Sequence, residues 1–459
     1  MNERTSQELD VVILAAGKGT RMYSDTPKVL HKVAGKPMLR HVIDCARTLC
    51  ATRIHVVVGF QAEKIRSVID DSDIHWSLQE QQLGTGHAVK QALPAIPQNA
   101  TVLVLYADVP LIAPSTLSTL LESAGDSRLA ILSVLSQNPY GLGRIIRNAA
   151  NQPIAIVEEK DANEQQKLIK ETNTGILAAP ASQLHGWIDR LKNNNAQGEY
   201  YLTDILAMAV SDQVQVSAEV TEDETEVLGV NNRQQLAIVE RQFQLQQAND
   251  LLLRGVSLAD PKRIDIRGKL ECGRDVEIDV NAVIEGHVIL GDRVRIASNV
   301  YLKDAVIGND VHIHANSHIE DTNIAQECQI GPFARLRPGT RLAKNAKIGN
   351  FVETKKANIG IGSKVNHLSY VGDSELGENV NIGAGTITCN YDGVNKFKTI
   401  IKDGVFVGSN TALVAPVTLG KGATIGAGSI ITADVEEDSL AVARAKQRSI
   451  SGWKRPVKK

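Results

Sequence analysis

The sequence predicts an α/β domain built on a mostly parallel sheet, followed by a parallel β-helix of hexapeptide repeats. In the first half, continuous apolar runs alternate with segments whose apolar residues have helical spacing. After residue 260, aliphatic residues recur every six positions, a period that neither an α-helix nor an ordinary antiparallel sheet has. The chain has 459 residues, which is too long for one core and fits two or three domains.

Three apolar runs define the first sheet. They are LDVVILAAG (9–17), RIHVVVGF (53–60) and TVLVLYAD (101–108), and each ends in small or acidic residues. Ligands of parallel sheets bind beyond the carboxyl ends of the strands. Gly17 and Asp108 both lie at such ends, so we expect them to face one crevice.

The first run continues into LAAGKGTRM (14–22), a glycine-bearing turn typical of phosphate binding. The spacing of Gly17 and Gly19 fits neither G-x-x-x-x-G-K-[ST] nor G-x-G-x-x-G. Small residues let the backbone approach a nucleotide closely. Arg21 and Lys28 offer positive charge to its phosphates, with ordinary surface charge as the alternative interpretation.

A long helix is predicted over residues 233–254, between the two sequence patterns. We interpret it as a connecting strut, and packing into the first domain is the alternative. The predicted organisation is therefore a first domain over 1–233, a helical linker over 234–254 and a second domain over 255–459.

The hexad pattern indicates a three-sided coil whose aliphatic residues stack inside. Two interruptions, at 354–370 and 390–399, are loops on which a site can be built. In HIHANSH, strand alternation points His312, His314 and His318 outward, so we interpret them as surface side chains and not as a metal site. Two of the hexad series are Ile278, Ile284, Leu290, Ile296 and Leu302, and Ile401, Val407, Leu413, Leu419, Ile425 and Ile431.

The composition argues against several classes of protein. The formal net charge is −2, so no strong field favours nucleic acid or an anionic membrane. The five cysteines are scattered without a C-x-x-C pair, which argues for a reducing compartment. The first residues are too polar for a signal peptide, and no apolar run is long enough to span a bilayer. We expect a cytoplasmic protein that binds no nucleic acid and does not insert into a membrane.

Both halves resemble known families. Residues 9–231 resemble the sugar-nucleotide pyrophosphorylases, which place motifs like LAAGKGTRM and TPK at the nucleotide site. Residues 264–435 resemble the left-handed β-helix acyltransferases, and the left hand follows from this resemblance because periodicity alone does not give it. The motifs QQLGTGHA, NTGI, GVNNR, RLRPG, NHLSYVGD and NIGAGTITCNYDG occur in the order typical of the bifunctional bacterial N-acetylglucosamine-1-phosphate uridyltransferases and glucosamine-1-phosphate N-acetyltransferases.

The resemblance implies two reactions, with uridyl transfer assigned to 1–233 and acetyl transfer to 255–459. The substrates it implies are glucosamine 1-phosphate and acetyl-CoA for the acetyltransferase, and N-acetylglucosamine 1-phosphate and UTP for the uridyltransferase. The uridyltransferase would be an Mg²⁺ enzyme that releases pyrophosphate, with Asp108 and Asn231 as metal ligands. One carboxylate and one amide oxygen suit Mg²⁺, which needs few protein ligands beside phosphates. For Asp108 the alternative is a simple helix N-cap.

The resemblance also implies the residues of the first site. One departure is Ala107, which stands where the family usually has glycine. A positive φ there would cost about 1–2 kcal/mol, whereas an ordinary φ would only crowd the pocket slightly. The residues implied to bind UTP or UDP-N-acetylglucosamine are Leu14, Ala15, Ala16, Gly17, Arg21, Lys28, Gln79, Gly84, Thr85, Tyr106, Ala107, Asp108, Gly143, Glu158, Asn173 and Asn231.

In the second half, the resemblance implies that His367 is the base that removes a proton from the attacking amine. It further implies a homotrimer that binds acetyl-CoA between subunits. Glucosamine 1-phosphate is assigned to Arg337, Lys355, Tyr370 and Asn381. Acetyl-CoA is assigned to Ala384, Asn390, Tyr391, Ser409, Ala427 and Arg444, of which Ala384 and Ala427 could equally be small turn residues.

Two other functions stay open at this point. A different sugar-1-phosphate nucleotidyltransferase can carry a hexapeptide tail, but such a tail would not need His367, Tyr370, CNYDG and Arg444 together. A non-enzymatic scaffold would be favoured by loss of the charged and amide residues at the nucleotide site, and Lys28, Asp108 and Asn231 are all present.

Overall fold

The computed structural model describes residues 8–458. The chain forms two compact units that divide between Phe243 and Gln244. Within the described residues, no helix is long and apolar enough to cross a membrane.

The first unit is an α/β structure. Its strands are β1 (Leu9–Ala15), β2 (Lys32–Val33), β3 (Lys36–Pro37), β4 (Arg53–Val58), β5 (Ile74–Leu78), β6 (Thr101–Tyr106), β7 (Leu129–Leu135), β8 (Arg144–Arg147), β9 (Pro153–Val157), β10 (Glu171–Pro180) and β11 (Val216–Thr221). The helices are α1 (Met38–Thr48), α2 (Ala62–Val68), α3 (Thr85–Ala92), α4 (Pro114–Ala124), α5 (Glu164–Lys167), α6 (Ala181–Arg190), α7 (Ile205–Ser211) and α8 (Arg233–Leu253).

The main sheet of this unit has the order β11-β7-β10-β6-β1-β4-β5, with β8 beside β10 and β9 beside β8. Strands β6, β1, β4 and β5 are mutually parallel, as the sequence predicts. The sheet is nevertheless mixed, because β10 runs antiparallel between β6 and β7. Strand β1 is covered on both faces: Val11 and Ile13 pack into one core cluster, and Val12 and Leu14 into another. Burial on both faces explains the continuous apolar runs.

The second unit is built from short parallel strands. They are β12 (Ser257–Leu258), β13 (Ile264–Cys272), β14 (Glu277–Ile278), β15 (Ala282–Leu290), β16 (Arg295–Ile296), β17 (Tyr301–Ile307), β18 (His312–Ile313), β19 (His318–Ile324), β20 (Gln329–Ile330), β21 (Arg335–Leu336), β22 (Thr340–Leu342), β23 (Lys347–Asn350), β24 (Glu353–Ile359), β25 (Lys364–His367), β26 (Tyr370–Leu376), β27 (Asn381–Ile382), β28 (Ile387–Cys389), β29 (Thr399–Ile401), β30 (Phe406–Val407), β31 (Ala412–Val414), β32 (Val417–Leu419), β33 (Thr424–Ile425), β34 (Ile430–Ile431) and β35 (Leu440–Ala441).

Successive turns of the coil pair in register. Ile278 lies beside Ile296, and Ile284 lies beside Leu302, as expected when three hexads make one turn. The aliphatic residues of the hexad series are buried in one continuous core. The pairing of Leu376 with Ile401 is a longer step, which accommodates the predicted loop 390–399. The loop expected at 354–370 is wrong, because β24 and β25 continue the in-register coil through these residues. The predicted fold class, an α/β nucleotidyltransferase-like unit followed by a left-handed β-helix of hexapeptide repeats, is confirmed.

Helix α8 extends across the division between the two units. Val239, in its first half, belongs to a cluster with Met22 and Met38 of the first unit. Ala248 and Leu251, in its second half, belong to the core of the coil. Each half of the helix therefore contributes to the core of one unit.

A buried charge network lies near the start of β1. Oδ1 of Asp10 is 2.7 Å from Nε2 of His55 and 2.7 Å from Nε of Arg53, and the side chains of Asp10 and His55 are fully buried. Burial alone would raise the pKa of Asp10, but the hydrogen bonds from His55 and Arg53 outweigh it and hold that pKa below its usual value. The ionised carboxylate therefore stabilises the folded first unit.

We expect Asp10→Asn to destabilise the first unit at pH 7 by about 3–5 kcal/mol, because removing one member of a buried pair leaves its partners uncompensated. The folded-state pKa of Asp10 is lowered, so its contribution is present above the unfolded pKa of about 4 and is lost as the pH falls through the lower folded value. Urea unfolding followed by the fluorescence of Trp76 and Trp187 measures both effects.

The matched control is Asp44→Asn, which breaks an exposed ion pair with Lys36. It should change stability by less than about 1 kcal/mol. The interpretation of Asp10 is contradicted if the Asp10 variant and the wild type lose stability in parallel on acidification.

Candidate active sites

A cavity of about 280 Å³ opens at the carboxyl ends of β1 and β6 in the first unit. It lies where the rule for ligands of parallel sheets expects a ligand. The structure brings most of the predicted nucleotide residues together around it: Leu14, Ala15, Ala16, Gly17, Lys28, Gln79, Gly84, Thr85, Tyr106 and Asp108.

The loop before α3 forms one wall of this cavity. Gly84 has a φ of 110°, and a Cβ there would lie 2.7 Å from the carbonyl oxygen of Tyr200, so the position requires glycine. Gln79 is buried, and its Nε2 donates a hydrogen bond of 3.1 Å to the carbonyl oxygen of Gly84. The side chain of Gln79, which the resemblance assigns to the nucleotide, is thus fixed by the loop itself.

Lys28, Asp108 and Asn231 meet beside the cavity. Nζ of Lys28 donates to Oδ2 of Asp108 and, over 3.2 Å, to Oδ1 of Asn231. The main chain keeps the segments together, because the amide of Val230 donates to the carbonyl oxygen of Asp108 at 2.9 Å. The side chains of Lys28 and Asp108 are 12% and 17% exposed, so this charge pair is largely shielded from water.

The same geometry tests whether Asp108 and Asn231 fit Mg²⁺. Their side-chain oxygens converge on one cation, the ammonium of Lys28. A carboxylate and an amide oxygen are hard ligands, and Mg²⁺ is commonly held by one or two protein oxygens together with substrate phosphates and water. Residues 8–458 contain no group of three or more His, Cys, Asp or Glu side chains that could hold a metal by themselves. The donor set therefore fits Mg²⁺ bound together with a nucleotide.

Tyr106 separates this cavity from a smaller one behind it, and it lines both. Burial raises the pKa of the Tyr106 hydroxyl, with the charge of Asp108 adding to the effect, so the phenol stays neutral. Gly175 lies against the ring: its φ is 86°, and a Cβ there would be 2.6 Å from a Tyr106 ring carbon. It sits where the pairing of β10 with β7 is interrupted, a backbone irregularity of the kind often found beside active sites.

Gly143, Glu158 and Asn173, which the resemblance implies to bind the N-acetylglucosamine part of the substrate, lie together near the smaller cavity. The amide of Asn173 donates to the carbonyl oxygen of Gly143 at 2.8 Å. A Cβ on Gly143 would be 3.4 Å from Oε1 of Glu158. Burial raises the pKa of Glu158 although the hydroxyl of Thr203 donates to its Oε1 at 3.1 Å. The structure thus gathers Gly143, Glu158 and Asn173 into one subsite.

Six predicted residues do not line the larger cavity: Asn231 lies beside it, Gly143, Glu158 and Asn173 lie near the smaller one, and Arg21 and Ala107 lie at neither. Arg21 is exposed on a short 3₁₀ turn. Ala107 is fully buried in the core, and it is not among the residues of positive φ. Ala107 therefore has no positive-φ backbone strain, and its methyl group packs in the core and does not line the cavity.

The sequence did not single out four further lining residues: Val29, Gln82, Ala88 and Glu199. Nε2 of Gln82 donates to the carbonyl oxygen of Ala16 at 3.0 Å, so it supports the glycine-bearing turn. Gln82 lies inside the QQLGTGHA motif, which was the available signal. Glu199 reaches the cavity from a distant loop, and no local pattern marks it.

In the second unit, a cationic cluster lies where β21 and β24 are neighbours. Lys355 lies near Lys396 and Arg337, and the charge of Lys396, followed by that of Arg337, lowers the pKa of Lys355. Nη1 of Arg337 donates to Oε1 of Glu353 at 2.7 Å. Lys396 comes from the loop 390–399, and the sequence interpretation missed it. A cluster of this kind suits a phosphate ligand.

The other predicted sugar-phosphate residues and the predicted base lie on adjacent strands. His367 ends β25 and is exposed, and its Nδ1 is 2.7 Å from Oδ1 of Asn350. Tyr370 begins β26, and its hydroxyl lies over Gly372, where a Cβ would be 2.3 Å away. Gly372 pairs in register with Lys355, and Asn381 pairs with Lys364.

The residues assigned to acetyl-CoA stack along one corner of the last turns. The carbonyl oxygen of Ala384 accepts from the amide of Asn410 at 2.7 Å, that of Ser409 from Gly428 at 2.8 Å, and that of Ala427 from Nη1 of Arg444. The remaining two lie in the loop 390–399. The side chain of Asn390 is bonded to Asp373, and Tyr391 is exposed.

The histidines of HIHANSH are partly exposed on the coil. The rings of His312 and His314 are 4.0 Å apart, and burial lowers the pKa of both. The ring of His318 lies against that of Tyr301, with its Nε2 3.2 Å from Glu320. Each of the three histidines therefore contacts another side chain of the coil.

Family models match both units. A MobA-like NTP transferase domain matches residues 11–175, a GMPPB C-terminal domain matches 266–342, and the bacterial transferase hexapeptide, in six repeats, matches 398–433. A solved nucleotidyl transferase from Methanothermobacter thermautotroptrophicus covers 51% of this chain and 97% of its own at 18% identity, with a TM-score of 0.38 that is too low to bear on the fold.

Two curated relatives match nearly the whole chain. The bifunctional protein GlmU of Marinobacter nauticus is 59% identical over 450 residues, which is 98% of this chain and 99% of the relative. The bifunctional protein GlmU of an Azoarcus species is 56% identical over 450 residues, 98% of this chain and 100% of the relative. The similarity spans both units and the helix between them, and the chain therefore belongs to the GlmU family of bifunctional proteins.

Proposed function

We infer that the chain makes UDP-N-acetylglucosamine in two successive reactions, one in each unit. It acetylates glucosamine 1-phosphate with acetyl-CoA and then transfers UMP from UTP to N-acetylglucosamine 1-phosphate, releasing pyrophosphate. The observation that carries this inference is the identity of 59% with a bifunctional GlmU over 98% of the chain. We assign uridyl transfer to 1–233 and acetyl transfer to 255–459, joined by the helix over 234–254.

In uridyl transfer, a phosphate oxygen of N-acetylglucosamine 1-phosphate attacks the α-phosphorus of UTP, and the bond to pyrophosphate breaks. Both reactants are anions, so the protein must neutralise charge and align them. Lys28 supplies a cation beside the glycine-bearing turn, and its contact with Asp108 places that cation at the strand end. Gln79 and the Gly84 loop face the base, and Gly143, Glu158 and Asn173 face the sugar.

Asp108 and Asn231 are proposed to hold Mg²⁺. When bound, the ion would neutralise charge on the phosphates. The support for this role is the convergence of the two side-chain oxygens on one cationic group.

In acetyl transfer, the amine nitrogen of glucosamine 1-phosphate attacks the thioester carbonyl carbon. A C–N bond forms, the C–S bond of acetyl-CoA breaks, and coenzyme A leaves as its thiolate. His367 takes the proton that the amine loses. Arg337, Lys355 and Lys396 hold the sugar phosphate, and the corner formed by Ala384, Ser409 and Ala427 lies along the coenzyme.

The active acetyltransferase is proposed to be a homotrimer. Outward residues of the last turns are apolar: Ile387, Phe406, Ile430 and Leu440 are each 49–68% exposed. An apolar face on a rigid coil is a typical subunit contact, and three parallel copies close a ring without leaving a free contact surface. Arg444 follows the last strand, from which it can reach a neighbour's coenzyme.

The two activities should separate. We expect His367→Ala to lower acetyl transfer at least about 100-fold and to leave uridyl transfer from supplied N-acetylglucosamine 1-phosphate unchanged. Asp108→Ala should do the reverse, with a similar loss. Steady-state assays of each half-reaction measure this. His287→Ala and Asp189→Ala, which alter exposed ion pairs, are the matched controls. If either active-site variant abolished both reactions in a folded protein, the assignment of one reaction to each unit would fall.

Uridyl transfer should require a divalent ion, and acetyl transfer should not. The reason is that hard oxygen ligands are proposed at the nucleotide site, whereas amine acetylation needs a base. Rates of both reactions in excess EDTA, with and without restored Mg²⁺, measure the requirement. Uridyl transfer that continues undiminished in EDTA would remove Asp108 and Asn231 from the metal role.

The second unit should carry the trimer contact. We expect the fragment 244–459 to be trimeric and to acetylate glucosamine 1-phosphate, and the fragment 1–243 to be monomeric and to retain uridyl transfer. Each fragment keeps the half of α8 that packs in its own core. Gel filtration with light scattering measures the assembly. Ile430→Glu should weaken the trimer, whereas Val306→Glu, on an earlier turn, should not. A monomeric 244–459 with full acetyltransferase activity contradicts the proposal.

A further inference from the structure

The ring of His367 is held by a side chain that the sugar and coenzyme assignments do not include. Asn350 ends β23, His367 ends the neighbouring β25, and the two residues pair in register. Nδ1 of His367 lies 2.7 Å from Oδ1 of Asn350. Because a carbonyl-type oxygen only accepts hydrogen bonds, this contact favours the neutral tautomer in which Nδ1 carries the proton and Nε2 keeps its lone pair. This is the tautomer that a general base needs on Nε2.

Asn350 also fixes the backbone that follows the histidine. The amide of Leu368 donates to the carbonyl oxygen of Asn350 at 3.1 Å. Leu368 has a φ of 48°, a left-handed conformation that is unfavourable for a residue with a Cβ and that persists only where its surroundings impose it. The carbonyl oxygen of His367 itself accepts from the hydroxyl of Ser369 at 2.7 Å. The ring and the main chain of His367 are therefore restrained from the same side of the coil.

A carboxylate nearby in the chain has another partner. Glu353 follows Asn350 by three positions, and its Oε1 accepts from Nη1 of Arg337 at 2.7 Å. That ion pair orients an arginine of the proposed sugar-phosphate site. The neutral amide of Asn350, and not this carboxylate, is thus the group bonded to the imidazole.

We propose that Asn350 is the positioning residue of the acetyltransferase: it selects the His367 tautomer and aims Nε2 at the attacking amine. The proposal rests on the proposed role of His367 as base. A neutral partner has a further consequence. It orients the ring without adding a negative charge beside the imidazole.

Two substitutions separate orientation from charge. Asn350→Leu removes the acceptor at similar volume, and we expect kcat of acetyl transfer to fall about 10-fold to 100-fold with KM for both substrates within about twofold, because a lost orienting partner leaves the wrong tautomer accessible. Asn350→Asp keeps an acceptor and adds charge. It should retain most of kcat, with the acid limb of the pH profile of kcat/KM moved to higher pH.

The experiment uses the full chain, and uridyl transfer by the same preparation reports folding. Asn323→Leu, an exposed asparagine on an earlier turn, is the matched control and should leave both reactions unchanged. The inference is overturned if Asn350→Leu keeps its kcat, or if Asn350→Asp leaves the pH profile where it was, while His367→Ala is inactive. If Asn350→Leu does not fold, the pH profile of Asn350→Asp decides. If His367→Ala still acetylates, the proposed role of His367 as base is wrong, and this result differs from those that would overturn the role of Asn350 alone.

Discussion

The second half of this protein depends on the in-register pairing of successive coil turns. Before the loop 390–399, partners in neighbouring turns are 17 or 18 residues apart, so a residue's position along the chain fixes which side chains lie beside it. Aliphatic residues then stack inside without gaps, and outward residues form straight rows. Asn350 meets His367, and Lys355 meets the glycine under Tyr370, because each pair is one turn apart. The proposed acetyltransferase site is therefore a consequence of register, with one loop, 390–399, added to it.

The first half has a different requirement, because both substrates of the proposed uridyl transfer are anions. Its parallel strands end at one edge, where the glycine-bearing turn after β1 and Asp108 after β6 meet. The charge there is balanced before any substrate arrives, since Lys28 is bonded to Asp108 and Asn231. The Lys28 ammonium therefore lies at the centre of these contacts, where its positive charge can also bind a phosphate.

The alternatives left open by the sequence are separated by the second half of the chain. A nucleotidyltransferase with a purely structural tail would not need a base, a cationic cluster and a coenzyme corner. Here His367, the cluster around Lys355 and the stacked carbonyl oxygens of Ala384, Ser409 and Ala427 occur within the same few turns. The full-length similarity to bifunctional relatives supports the same reading. A scaffold role is disfavoured because the residues of both proposed sites retain mutually supporting contacts.

The sequence by itself determined the elements whose pattern of apolar residues is regular. Apolar runs buried on both faces predicted the central strands of the first sheet, and the six-residue repeat predicted the coil, because both patterns record burial position by position. It also indicated most of the nucleotide cavity, since the motifs lie at strand ends. Only the tertiary structure decided what depends on distant residues. The antiparallel β10, the ordinary φ of Ala107, the exposure of Arg21, and the positions of Glu199 and Lys396 at the proposed sites have no local signal, because they depend on contacts between distant segments. Asn350 lies one coil turn from His367, but the six-residue repeat does not show which outward side chains of neighbouring turns bond to one another.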